Sequence, residues 1–274
     1  MKDKYEILLT LKVKEYEMNE LLGFAKECPD CFELLKKKLD ELPAFIQNGK
    51  YEKQWEACKK DEEVIKYTNR LRKASVQAVC DIEKYHSSHA GVSNISSYIS
   101  QLSGSVMKEM TAFGINRDSK VLIIGSGAFP VTTLTIAKET GSEVVGVDID
   151  QEAVRMAREI ALTAGVQAEF TSEKLALLPF LKKATHIVIA SLVEDKKGVL
   201  KDLYQHAKSN VKILLRYGNG LKSVFNYPYM PSGSKEWIQT LINEDEPGFY
   251  DTILIEKAGC HQSSGSSERT YTYE

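Results

Sequence analysis

Two hydrophobic rhythms divide the chain. Up to about residue 113, apolar residues recur every three or four positions: Tyr5, Leu8, Leu9, Leu11 and Val13, then Leu21, Leu22 and Phe24, and later Phe32, Leu34, Leu35, Leu39 and Leu42. That is the period of a helix with one buried stripe, and it predicts amphipathic helices over 2–26 and 31–46 that pack together. Asn48-Gly49 marks a turn and 51–58 a short helix, followed by a long helix over 61–86 with Val64, Ile65, Tyr67, Leu71, Val76, Val79 and Ile82 on its apolar face. The stretch Ser87 to Ser97 is rich in Ser, Gly, His and Asn, which predicts a loop, and 100–113 returns to helix.

From Val121 the rhythm changes. Val121-Leu122-Ile123-Ile124 is an unbroken apolar run, as expected of a strand covered on both faces in a parallel sheet. Strands are predicted again over 143–147, 168–171, 185–190 and 211–216, separated by helices over 132–140, 151–164 and 199–207, with a late edge strand over 250–256. This alternation predicts an α/β fold, a doubly wound, mostly parallel sheet with an N-terminal helical domain. The expected boundaries are 1–115 for the helical domain, which would cover the site, and 116–258 for the Rossmann-like domain, with a disordered tail at 259–274.

Composition narrows the partners. The 274 residues carry a net charge of −2, so there is no electrostatic footprint for nucleic acid or an anionic membrane, and a small-molecule partner is the expectation. The N-terminus has no apolar run of signal-peptide type, which predicts a cytoplasmic protein. Five irregularly spaced cysteines fit reduced thiols. Cys28-Pro-Asp-Cys31 has neither the preceding strand of a redox motif nor a second ligand pair, and reads as a loop between helices. No metal site is predicted.

The candidate chemistry gathers where the first strand ends. Gly125-Ser126-Gly127 turns the backbone and lets a ligand approach the main chain where no Cβ stands in the way. Asp148, closing the second strand, sits where nucleotide-binding α/β folds hydrogen-bond ribose hydroxyls. GSGAFP lacks the third glycine of the dinucleotide fingerprint and places Pro130 at the helix start. That points away from a pyrophosphate on the helix N-terminus and toward S-adenosylmethionine as co-substrate. Ligands in such sheets bind outside the carboxyl ends of the strands, which assigns the pocket to 125–130, 148–149, 171–173, 190–192 and 216–220.

The segments IGSGAFPVTTLTIAKETGSEVVGVDID, THIVIAS and LLRYGNGLKSVFNYP resemble the nicotianamine-synthase-like family, most closely its opine-metallophore branch. The resemblance implies a class I methyltransferase-like fold that uses S-adenosylmethionine without moving its methyl. The 3-amino-3-carboxypropyl group would pass to the amine of histidine, the D isomer favoured, with methylthioadenosine released. A separate opine dehydrogenase would then act downstream, and the family's members suggest a homodimer. On this pattern Gly125, Ser126, Gly127, Ala128, Phe129 and Pro130 would line the co-substrate. Asp148 would hold its ribose, Ile149 would pack on the adenine with Glu173 nearby, and Ser191 and Leu192 would sit beneath the sulfonium. Tyr98 would contact the acceptor or the donor carboxylate. Glu83 resembles in placement the glutamate that meets the incoming amine and would accept its proton, the alternative being a solvated helix-face acid. His86 and His89, in the nearby loop, would touch the acceptor or nothing, and Tyr227-Pro228 would form a wall or a structural turn. Arg216 would hold a carboxylate or be paired structurally. The competing readings are an ordinary small-molecule methyltransferase and a non-catalytic S-adenosylmethionine-binding protein.

Overall fold

A computed structural model describes residues 1–89, 97–231, 235–242 and 248–259. The chain opens with six helices: α1 (Lys2–Glu27), α2 (Cys31–Asp40), α3 (Leu42–Ile46), α4 (Gly49–Cys58), α5 (Glu62–His89) and α6 (Ser97–Phe113). The single helix expected over 31–46 divides after Asp40, and Pro43 opens the short second piece, where its missing N–H costs nothing. α5 runs on to His89, past the expected loop start at Ser87. The hydroxyls of Ser87 and Ser88 find carbonyl partners there, so these residues do not interrupt the helix. The rest of the expected loop, 90–96, lies outside the described residues, as does the tail from 260.

The remaining elements alternate: β1 (Lys120–Ile124), α7 (Val131–Thr140), β2 (Glu143–Val147), α8 (Gln151–Thr163), β3 (Glu169–Thr171), α9 (Leu178–Leu181), β4 (His186–Ile189), α10 (Lys196–His206), β5 (Lys212–Tyr217), β6 (Trp237–Leu241) and β7 (Asp251–Lys257). They form one sheet of seven strands in the order β3-β2-β1-β4-β5-β7-β6. The first five strands are parallel, while β7 runs antiparallel to both β5 and β6. The late strand is therefore an inner one, and β6, which the sequence pattern did not reveal, takes the edge. Strand order reverses between β1 and β4, and this switch point opens the crevice in which α/β sheets bind ligands.

Local chemistry sets the element ends. α7 stops at Gly141, whose φ of 68° is the left-handed C-cap that a side chain would resist. α8 starts because the Asp150 side chain accepts from the N–H groups of Glu152 and Ala153. The helical segment and the sheet share one apolar core: Leu11, Met18, Leu71 and Ala78 are continuous with Phe129, Val154, Phe170, Leu221 and Phe225. The other side of the sheet is covered separately, by Leu177, Phe180, Leu200 and Leu203 against Ile187, Ile189, Ile213 and Leu215. Among the described residues no helix is long and apolar enough to cross a membrane.

Candidate active site

The glycine turn after β1 is held from two sides. The N–H groups of Gly125 and Ser126 both donate to the Val147 carbonyl, at 2.8 and 3.0 Å, and the N–H of Gly127 donates to Asp148 Oδ2 at 2.8 Å. The N–H of Ala128 donates to Glu83 Oε2 at 3.1 Å, and that of Phe129 reaches the same carboxylate. Every backbone donor from Gly125 to Phe129 is thus taken by a protein oxygen, and none remains for a phosphate. A ligand here meets the bare faces of the glycines instead. φ is 81° at Gly125 and 72° at Gly127, both left-handed, and a Cβ on Gly127 would stand 2.3 Å from Glu83 Oε2. The equivalent atom on Gly125 would stand 2.8 Å from Val193 Cγ2, so the turn also touches the segment that follows β4.

Glu83 reaches this turn because α5 lies across the carboxyl ends of the strands. The helix is fastened there by Ser87 Oγ, which donates to the Ala128 carbonyl at 2.9 Å, and by Lys84, which bridges Asp150 and Glu152 at 2.7 Å each. The Glu83 residue is partly buried, but its carboxylate is enclosed by the turn and the helix. Desolvation raises its pKa, aided by the nearby Asp148 charge and opposed by the two backbone N–H groups, and the carboxyl is pushed up to about 8. The result is a carboxyl that holds its proton to near-neutral pH, seated on the glycine turn.

Asp148 closes β2. Oδ2 takes the Gly127 N–H and Oδ1 takes the Asp150 N–H at 3.1 Å, each oxygen keeping a second lone pair for a hydroxyl donor. Beside it, Ile149 is 94% exposed, an apolar side chain at the crevice with no protein covering it. Glu173 is exposed beyond the end of β3. Past β4, Ser191 is buried and its carbonyl accepts from Lys196 Nζ at 2.9 Å and from the Tyr227 N–H at 3.1 Å, while Leu192 packs on the core containing Phe225. The residues Gly125 to Pro130, Asp148, Ile149, Ser191, Leu192 and Glu83 are brought to one crevice. An adenosine could be held there, its hydroxyls by Asp148 and its base against the exposed Ile149.

Two other expected contacts stand apart. Arg216 is 3% exposed and its guanidinium is occupied within the chain, pairing with Glu109 and donating to Thr132 Oγ1 at 3.1 Å. Thr252 donates to the same Glu109, which makes Arg216 the hub of a buried network tying α6 to α7, β5 and β7. His86 is buried on the side of α5 facing α2, with its pKa lowered by burial and by Lys36, and it does not face the turn. Tyr98 belongs to α6, but its side chain lies outside the described residues.

Other cleft residues went unread in the sequence. Arg72 and Cys80 share the face of α5 that carries Glu83 and Ser87, a spacing that would have revealed them once Glu83 was placed. Lys196, in the polar run EDKKG, looks like a surface lysine, yet it is 2% exposed and donates to the Ser191 and Val193 carbonyls.

A family model described as a methyltransferase domain matches residues 121–210. An L-histidine 2-aminobutanoyltransferase of Pseudomonas aeruginosa is 38% identical over 265 residues, covering 94% of this chain and all of that protein. The chain belongs to this transferase family. A member from Yersinia pestis with the same name is 29% identical over 92% of this chain and 96% of its own length. The fold of the whole family member is also that of MtNAS, a nicotianamine synthase. A glutamate-to-glutamine mutant of MtNAS in complex with S-adenosylmethionine superposes with a TM-score of 0.73, at 14% identity over 89% of this chain and 98% of that one.

Proposed function

We propose that this protein transfers the 3-amino-3-carboxypropyl group of S-adenosylmethionine to the amine of histidine. The amine nitrogen bonds to the carbon that leaves sulfur, the carbon–sulfur pair returns to sulfur as the neutral thioether methylthioadenosine, and the amine's extra proton passes to a base. A sulfonium activates all three of its carbons, so the product depends on which one is held in line with the nitrogen. Asp148 and the glycine turn would fix the adenosine, and Ser191 and Leu192 the sulfonium end. α5 would close over both and exclude water.

The observation that carries the reading is the Glu83 carboxylate seated on the glycine turn, within the same cradle that would hold the donor. A base there meets an amine only as that amine meets the sulfonium. Its raised pKa suits it to take an ammonium proton near neutral pH. Tyr98 stays in the proposal as a contact to the acceptor, whereas the committed guanidinium of Arg216 fits a structural role. The resemblance favoured D-histidine, and the named relatives carry L-histidine in their names; the proposal takes histidine and leaves the isomer to experiment. An opine dehydrogenase would consume the product.

Incubating the protein with S-adenosylmethionine and each histidine enantiomer tests this. Methylthioadenosine and a product heavier by the aminocarboxypropyl group are expected. S-adenosylhomocysteine with a methylated acceptor would instead establish an ordinary methyltransferase, and tight co-substrate binding with no by-product a sensor.

A further inference from the structure

The same face of α5 that presents Glu83 presents a guanidinium about three turns, roughly 16 Å, nearer its N-terminus. Arg72 lies with its guanidinium 5.1 Å from the centre of the Tyr227 ring. Lys196 Nζ lies 5.8 Å from the centre of the same ring. Lys196 donates to the Ser191 and Val193 carbonyls, two of its three hydrogens, and Arg72 donates from Nη1 to the Ser223 carbonyl at 2.7 Å and from Nη2 to Asn69 Oδ1 at 2.5 Å. Among the described residues neither half-buried Arg72 nor buried Lys196 forms an ion pair, whereas the buried Arg216 has Glu109. Burial lowers the pKa of Arg72, opposed by Tyr227 and Glu194, whereas burial and the Arg72 charge bring Lys196 down to about 7 with nothing opposing them. Glu194 reaches the Tyr227 hydroxyl but forms no ion pair with Arg72, and Lys196 has no carboxylate to offset it, so the two cations leave room for an anion at this ring.

Of the five N–H donors of a guanidinium, the two protein contacts leave Nε–H and one hydrogen on each Nη. That remaining edge is the fork that grips a carboxylate in two parallel hydrogen bonds. The place is right as well. The Ser191 carbonyl joins Lys196 and Tyr227 to the segment that would lie under the sulfonium, and Val193 of that segment touches the glycine turn.

We propose that Arg72, walled by Tyr227 and backed by the field of Lys196, is the subsite for the α-carboxylate of a reacting amino acid. This rests on the aminocarboxypropyl transfer proposed above, in which donor and acceptor each carry such a group. Arg72 is then a specificity-determining residue, and Lys196 a positioning one.

The test compares histidine with histamine, which keeps the imidazole and the amine but lacks the carboxylate. Methylthioadenosine release is measured for the wild type, Arg72→Ala and Arg72→Lys, alongside S-adenosylmethionine affinity by calorimetry. If the acceptor's carboxylate binds here, the wild type favours histidine by about ten- to a hundredfold in kcat/KM, the span of a charged hydrogen-bonded pair. Arg72→Ala then loses far more kcat/KM with histidine than with histamine while co-substrate affinity holds, so that preference collapses, and Arg72→Lys restores part of it. If the donor's carboxylate binds here, Arg72→Ala weakens S-adenosylmethionine binding by a similar factor and the histidine preference persists. Equal losses for histidine and histamine at full co-substrate affinity, or no loss in any arm, would overturn the subsite. A wild type that releases no methylthioadenosine would defeat the transfer reaction itself. Calorimetry of histidine and histamine with the S-adenosylmethionine-loaded protein would still read Arg72.

Discussion

Glu83 shows how a residue proposed for chemistry can weigh against the fold. A carboxyl whose pKa is raised to about 8 binds a proton more tightly folded than unfolded. Its contribution to stability is therefore greatest at low pH and is lost as pH rises from the ordinary carboxylate range through 8. Glu83→Gln removes that loss, and denaturant melts at pH 8.5 should show the variant more stable than wild type by roughly 1–2 kcal/mol, after allowance for partial exposure. The same substitution should lower kcat about a hundredfold or more with S-adenosylmethionine affinity retained. A base works only when ionised, so wild-type kcat/KM should climb through pH 8, and Glu83→Gln should lose that limb and keep only the rise from the acceptor's own amine. Gly127→Ala attacks the same contact from the other side. Its Cβ would collide with Glu83 Oε2 and hold a side chain at a φ of 72°, so co-substrate affinity and turnover should fall together, with a stability loss of about 1–3 kcal/mol by thermal melting. These residues were legible unequally. The glycine turn and Asp148 announce themselves by composition and spacing, whereas Glu83 is one of many helix acids, and its role depends on a turn more than forty positions away.

At the scale of elements, Arg216 and Glu109 tie helix to sheet. The pair is buried, takes in Thr132 and Thr252, and spans α6, α7, β5 and β7. Removing one partner strands a charge in the interior. Arg216→Met or Glu109→Leu alone should each cost about 3–5 kcal/mol by urea denaturation, while the double replacement should recover much of the loss. S-adenosylmethionine affinity of the double variant should stay near wild type, because the guanidinium is committed to Glu109 and Thr132; a large drop would return Arg216 to the pocket. Nothing in the sequence decides between those roles, since an arginine at a strand end reads alike whether its partner is a substrate or a glutamate 107 positions earlier. Element type was most readable where burial was complete, as in the continuous apolar run of β1. β6 escaped because its burial pattern, one buried residue followed by half-buried and exposed ones, is too shallow to distinguish an edge strand from a loop. For the same reason β7 passed for the edge until its partner on the far side was seen.

Across the whole molecule, the helical segment and the sheet meet in one apolar core. Ile7, Leu11 and Leu71 belong to the same buried cluster as Phe129, Phe170, Leu221 and Phe225. Hydrophobic periodicity showed that both parts have buried faces, but a face does not name its partner, so the two could be drawn as domains without their shared interior. The site follows from that sharing, because α5 is at once a bundle helix and the roof of the crevice. Arg72 makes the same point: it binds the Ser223 carbonyl beyond β5, linking residues 151 positions apart. Stability and site assembly should therefore be inseparable. Calorimetry of the intact chain should show a single cooperative transition whose van't Hoff and calorimetric enthalpies agree, since opening the helices would expose the face that α7, α8 and the turn after β5 pack against. S-adenosylmethionine at about a hundred times its Kd should raise the whole transition by about 2.7 kcal/mol of linkage. Two separate transitions, with the co-substrate shifting only one, would show that the roof folds independently of the floor and that the crevice is an interface between domains.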